Sequence, residues 1–114
     1  MKPEGLTLAR LCRESALDKK AIDPVILDLR GIEGPADFFL ICSGQSDPQL
    51  KAIAGAIEVS LKQDHDVRPV SVDGKMVSGW VVLDYGDVLV HIMAEAKRAY
   101  YQLEKLWGDA PRID

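Results

Sequence analysis

Apolar positions along this chain keep two rhythms, and each names an element. Leu8, Leu11, Cys12 and Ala16 recur at helical spacing and predict a helix over about 6–17, with Thr7 able to cap a slightly shorter form. Residues 1–5 hold Pro3 and Gly5 and read as a loose arm. Pro24 opens the run Val25-Ile26-Leu27-Asp28-Leu29, a buried strand with proline as its first residue. Gly31, Gly34 and Pro35 mark a loop, and Phe38-Phe39-Leu40-Ile41-Cys42 reads as a second strand ending at Ser43-Gly44. Ser46 with Gln49 three residues on fits a capping box, while Asp47 as cap would put Pro48 at the favoured first helical position. Leu50, Ile53, Ala54, Ile57 and Leu61 then form an apolar stripe opposite Lys51, Glu58 and Lys62, and this helix should end near residue 64. Val67 to Val72 is a shorter strand that Pro69 demotes to a sheet edge, followed by an Asp73-Gly74 turn and a loop over Lys75 to Gly79.

Residues 80–93, WVVLDYGDVLVHIM, carry the strongest signal. Both apolar runs alternate with a period of two about Tyr85-Gly86, which reads as a β-hairpin with those two residues as its loop. That register sets Leu83 against Val88 and Val81 against Val90 on an aliphatic face suited to a core. The opposite face sets Asp84 against Asp87, Val82 against Leu89 and Trp80 against His91, with Met93 further along. Two carboxylates directly opposed are destabilising, and a cationic partner would offset the cost. Plainer readings compete: helices cover both faces and Trp80 is core, or the two acids splay into water.

Ala96, Ala99, Tyr100, Leu103 and Trp107 share one face of a last helix, with Tyr101 off that face, Gly108 at its C-terminal end and a tail to Asp114 that should fray. The order is helix, two strands, helix, three strands, helix. Two short β-β connections demand antiparallel pairs, and the helix over 46–64 is long enough for a parallel crossover. The expected fold is an α/β (α+β) domain: a mixed five-stranded sheet with flanking helices.

Length and charge narrow the function. The 114 residues make one domain over 1–114, with an ordered core of about 6–108, and 47% apolar content supports a normal core. A net charge of −4 argues against a sheath of phosphate contacts, so a role in a nucleic-acid assembly would run through protein, and little direct nucleic-acid contact is expected. Cys12 and Cys42 lack metal-ligand spacing and read as free thiols of a reducing cytosol. Neither a signal peptide nor a membrane-spanning segment is expected.

Candidates for chemistry are few. His65, between Asp64 and Asp66, reads as solvated, and His91 has no carboxylate at its sequence neighbours to orient it as a base. Ser43-Gly44-Gln45-Ser46, between strand and helix, could cradle an anion through backbone N–H groups, as in a metal-dependent nucleotidyltransferase or nucleotide-binding domain. Such a site also wants two carboxylates one residue apart on the next strand, but Asp84 and Asp87 are three apart and Ser71-Val72-Asp73 offers one acid. No catalytic residue, metal or cofactor is therefore assigned.

Several motifs in this order resemble the ribosomal silencing factors, the RsfS or Iojap family: Val25-Ile26-Leu27-Asp28-Leu29, Ala36-Asp37-Phe38-Phe39, Ile41-Cys42-Ser43-Gly44-Gln45-Ser46, the run from Trp80 to His91, and Tyr100-Tyr101-Gln102-Leu103-Glu104-Lys105-Leu106-Trp107. The resemblance runs from about Leu8 to Trp107. It implies a degenerate nucleotidyltransferase-like fold without catalytic carboxylates, and so not an enzyme. It implies a cytoplasmic translation repressor, often a homodimer when free, that docks on ribosomal protein L-fourteen of the large ribosomal subunit. There it would block small-subunit joining when nutrients are short. The resemblance makes the hairpin the docking surface, through Trp80 and Tyr85 first and then Asp84, Asp87, His91 and Met93. The chain departs from the family pattern at Ser43 and Gln45, where threonine is common, and at Val72-Asp73-Gly74-Lys75, where a Glu-Gly-Glu-like loop is.

Overall fold

Strand β2 (Phe38–Gly44) is buried along its whole length, because both faces of the sheet are covered there. The structure is a computed structural model that describes residues 2–74 and 79–114. In chain order the elements are α1 (Gly5–Asp18), β1 (Ile22–Asp28), β2, α2 (Asp47–His65), β3 (Ser71–Asp73), β4 (Trp80–Asp84), β5 (Val88–Ala94), α3 (Glu95–Tyr101), α4 (Leu103–Leu106) and β6 (Arg112–Ile113). They build a mixed six-stranded sheet in the order β3-β4-β5-β2-β1-β6, in which β2 and β5 run parallel and every other pair antiparallel. Alternate residues of the strands feed two cores. Ile26, Leu40, Cys42, Val81, Leu83, Val90 and Ile92 meet Leu8, Cys12 and Ala16 of α1 and Leu50, Ile53, Ile57 and Leu61 of α2. Leu27, Phe39, Ile41 and Met93 face the other way, under Leu103, Trp107 and Ala110.

The α2 start is settled by its caps. Ser46 Oγ accepts the Gln49 N–H at 3.2 Å, so Ser46 is the cap and Pro48 lies one position further in. Gln49 Oε1 accepts from the backbone N–H of Gln45 rather than Ser46, and its amide donates to the carbonyls of Lys19 and Lys20, tying α2 to the end of α1. Pro24 does not open its strand. It sits inside β1 at a bulge between Ile22 and Val25, beside Asp23 at φ 47°, where no ladder N–H is required of it.

Four expectations change. The hairpin register moves by two residues: Trp80 pairs with Met93, Val82 with His91 and Asp84 with Leu89. The Tyr85 N–H bonds the Val88 carbonyl at 2.9 Å, so the loop is Gly86-Asp87, with Gly86 at φ 90°. An even shift leaves the residues of both strands on their expected faces, but it moves Asp87 from its place opposite Asp84 into the loop and buries Tyr85 to 8% exposure in the α1/α2 core. The edge strand is only Ser71–Asp73, and its predicted start, Val67 to Val70, precedes the ladder. The last helix is broken at Gln102, φ 49°, so α3 buries no residue and Tyr100 stands 80% exposed instead of lying at the core or its edge on one face with Leu103 and Trp107. The tail forms β6, pairing Ile113 with Ile26 and Arg112 with Leu27, which makes the sheet six-stranded rather than five. The loop predicted over Lys75 to Gly79 lies outside the described residues except for Gly79.

Candidate functional site

Strand pleat puts Trp80, Val82 and Asp84 of β4 and Leu89, His91 and Met93 of β5 on the face turned away from α1 and α2. They do not reach the surface equally. Trp80, Val82, Asp84 and Leu89 are partly buried, whereas His91 and Met93 are buried. Met93 belongs to the second core, and Tyr85 lies on the opposite face under α1, so neither side chain presents a surface in this chain. The two carboxylates do not confront each other. Asp84 Oδ1 turns onto its own loop and accepts the Gly86 N–H at 2.8 Å, while Asp87 accepts the N–H of Gly5 at the start of α1.

Trp80 is the centre of a chain of rings. Its indole N–H donates to Nδ1 of His91 at 3.1 Å. The two rings can meet although they are not direct cross-strand partners, because diagonal neighbours lie within reach of aromatic side chains. Phe39 stands edge-on to His91 at 4.6 Å, and Trp107 stands edge-on to Phe39 at 5.8 Å. Outward, Tyr101 lies 5.0 Å from Trp80 and Tyr100 lies 5.0 Å from Tyr101. Burial lowers the His91 pKa from 6.5 to about 4, so the imidazole is neutral at physiological pH. With Tyr101 46% and Tyr100 80% exposed, the outer end of this chain of rings reaches the surface, and the sequence pointed there only for Tyr101. The helix face drawn through Tyr100 assumed an unbroken helix.

The Ser43–Ser46 loop is differently occupied. Ser43 is buried, and its hydroxyl accepts from Arg98 Nη1 at 3.1 Å. A cleft of about 560 Å³ opens beside it, lined by Asp23, Glu95, Arg98, Gln102 and Lys105 among others. The Arg98 guanidinium is spent on the Ile22 carbonyl, Ser43 and a bidentate pair with Glu104. The N–H groups of Gln45 and Gln49 are taken by Gln49 Oε1 and Ser46 Oγ. A Cβ on Gly44 would stand 2.8 Å from Leu50, so the glycine serves close packing of strand on helix. Cys12 and Cys42 are free, and burial pushes both thiols up to about 12, which leaves them unreactive.

The profile of the family described as "Ribosomal silencing factor during starvation", RsfS, matches residues 2–114. The chain belongs to this family. It is 43% identical over 107 residues to the ribosomal silencing factor RsfS of Halalkalibacterium halodurans, covering 94% of this chain and 91% of that protein. It is 41% identical to the RsfS of Bacillus subtilis, over 95% of this chain and 91% of that protein. A crystal structure of a Chromobacterium violaceum protein superposes with a TM-score of 0.87 at 35% identity, over 93% of this chain and 88% of that one. In this RsfS domain, Trp80 and Asp84 are partly buried on the predicted face, His91 and Met93 are buried beneath it, and Tyr85 and Asp87 hold the hairpin to the α1 side. Lys75 of the departing loop lies outside the described residues. Among the described residues no helix is long and apolar enough to cross a membrane, and no group of three His, Cys, Asp or Glu could hold a metal ion.

Proposed function

We propose that this RsfS-family protein represses translation in the cytoplasm by binding the large ribosomal subunit through ribosomal protein L-fourteen, so that the space it occupies denies the small subunit its place. It acts without chemical change to the ribosome, takes no cofactor and self-associates as a homodimer when free. The observation that carries the reading is the partly buried Trp80, tied to His91 and continued outward by Tyr101 and Tyr100 on an acidic domain. An indole held rigidly at a surface is the side chain that most often dominates binding energy at protein interfaces. Ribosomal proteins are typically basic, and a domain of net charge −4 complements them. Asp84 sits where it can face such a partner, while His91, Met93, Tyr85 and Asp87 contribute by holding the hairpin in shape.

The test is binding to isolated large subunits, read together with subunit joining. Trp80→Ala should weaken binding by about 2 kcal/mol or more, roughly 30-fold, and relieve the block on joining in proportion. Equal binding by the variant and the wild type removes this face from the interface. The rival reading, nucleotide binding at Ser43 to Ser46, meets a loop whose N–H groups at Gln45 and Gln49 already have acceptors within the chain.

A further inference from the structure

An indole N–H can only donate a hydrogen bond. The Trp80 N–H is 3.1 Å from His91 Nδ1, so that nitrogen must offer its lone pair and the ring proton of the neutral imidazole must sit on Nε2. Among the described residues, Nε2 is buried with no hydrogen-bond partner. The ring is therefore held in one tautomer by a single directional bond, with Phe39 packed edge-on at 4.6 Å behind it. Such an arrangement leaves a buried donor unmatched, which costs free energy. What it achieves is orientation of a neighbouring side chain.

We propose that His91 is the positioning residue of Trp80: it takes the indole N–H from beneath the sheet face, fixes the ring, and turns Trp80 into a purely apolar contact for its partner. This rests on the docking role given to Trp80 above and adds a statement about specificity. Because His91 consumes the donor, the surface that meets the indole needs no hydrogen-bond acceptor opposite it. The partner's matching group is an aliphatic side chain, or the aliphatic stem of a lysine or arginine whose charge lies over the ring. His91 itself, 7% exposed, touches no partner. Among the described residues its ring neighbours are Trp80 on β4 and Phe39 on β2, and burial is the cause of its lowered pKa.

The full chain, labelled with ¹⁵N, gives the test. In the wild type, long-range proton–nitrogen spectra should show His91 with its proton on Nε2, and the Trp80 indole N–H should exchange slowly with water. His91→Leu should move the Trp80 indole signal, speed its exchange and weaken large-subunit binding about tenfold, the worth of one hydrogen bond. His91→Asn, whose Oδ1 stands near the place of Nδ1, should restore the signal and bring binding back to within about threefold of wild type. A merely structural role for His91 would let neither variant act on the indole signal in this selective way. A wild-type proton on Nδ1 overturns the proposal even if both variants fail to fold, and so does an unmoved Trp80 signal in a folded His91→Leu. If the spectra behave as stated while Trp80→Ala binds subunits as well as wild type, the positioning stands and the docking reading falls.

Discussion

A buried imidazole is inexpensive while neutral and costly once charged, and this makes His91 a source of pH-dependent stability. Burial lowers its pKa to about 4 in the folded chain, against an ordinary 6.5 in the unfolded one. Between those values the unfolded chain takes up a proton that the folded chain refuses, so stability is full above about pH 6.5, falls as pH drops through 4, and changes no further from this group below that. The loss amounts to as much as about 3 kcal/mol. Urea unfolding of wild type and His91→Asn across this interval measures it: the variant should show the shallower decline, and parallel curves would count against His91 as the titrating group. Trp80 and His91 were legible as neighbours from residue parity along two strands. Their hydrogen bond was not, because the register placed them as direct partners, whereas the chain sets them on a diagonal.

Two elements owe their ends to residues far away in sequence. Helix α1 begins at Gly5 with no side-chain cap from Glu4, and its first N–H is met by Asp87 from the hairpin loop. A carboxylate at a helix N-terminus satisfies a free donor and complements the dipole. Asp87→Ala should therefore cost about 1 kcal/mol in chemical denaturation, and an unchanged midpoint would show the contact to be idle. The break between α3 and α4 has a similar logic. Arg98 and Glu104 are six residues apart, which in a straight helix would point them about 120° from each other. With Gln102 at φ 49° they close into a bidentate pair at 3.1–3.2 Å that also reaches Ile22 and Ser43. Arg98→Ala leaves a partly buried carboxylate and a buried hydroxyl without their donor, and should cost about 2–4 kcal/mol by urea unfolding. Neither glycine nor proline marks this break, so helical periodicity ran straight through it and put Tyr100 on the wrong side.

For the molecule as a whole, shape and charge divide the work of docking. An acidic domain approaching a basic partner is steered over distances comparable to the screening length, roughly 8 Å at physiological salt. Association with large subunits should slow several-fold as salt is raised from about 50 to about 300 mM, while dissociation, governed by the packed rings, changes little. Stopped-flow mixing separates the two rates, and a salt-insensitive association rate would remove charge from the account. The sheet supports this division. Its α1/α2 face is sealed by two long helices, whereas the opposite face is covered by Leu103 of α4, Trp107 and Ala110, with the exposed Tyr101 and Tyr100 continuing outward from Trp80.

Local order was readable from the chain because it rests on local chemistry: apolar period for the helices and strands, Ser46 and Gln49 for the α2 cap, Gly86 for a tight turn, and residue parity for the faces of β4 and β5. The family motifs were legible for the same reason, as ordered short runs. What depended on packing at long range stayed hidden. The hairpin slides two residues because Tyr85 gains burial against α1 and Asp87 gains a helix end, and both partners lie about 80 residues away. The tail becomes a strand because the open edge of β1 offers it hydrogen bonds, and Arg98, just before the helix break, reaches across to Ile22 and Ser43. Contacts across such separations leave no periodic trace, so only the folded chain shows which of two equally well-patterned registers buries more and leaves fewer polar groups unmet.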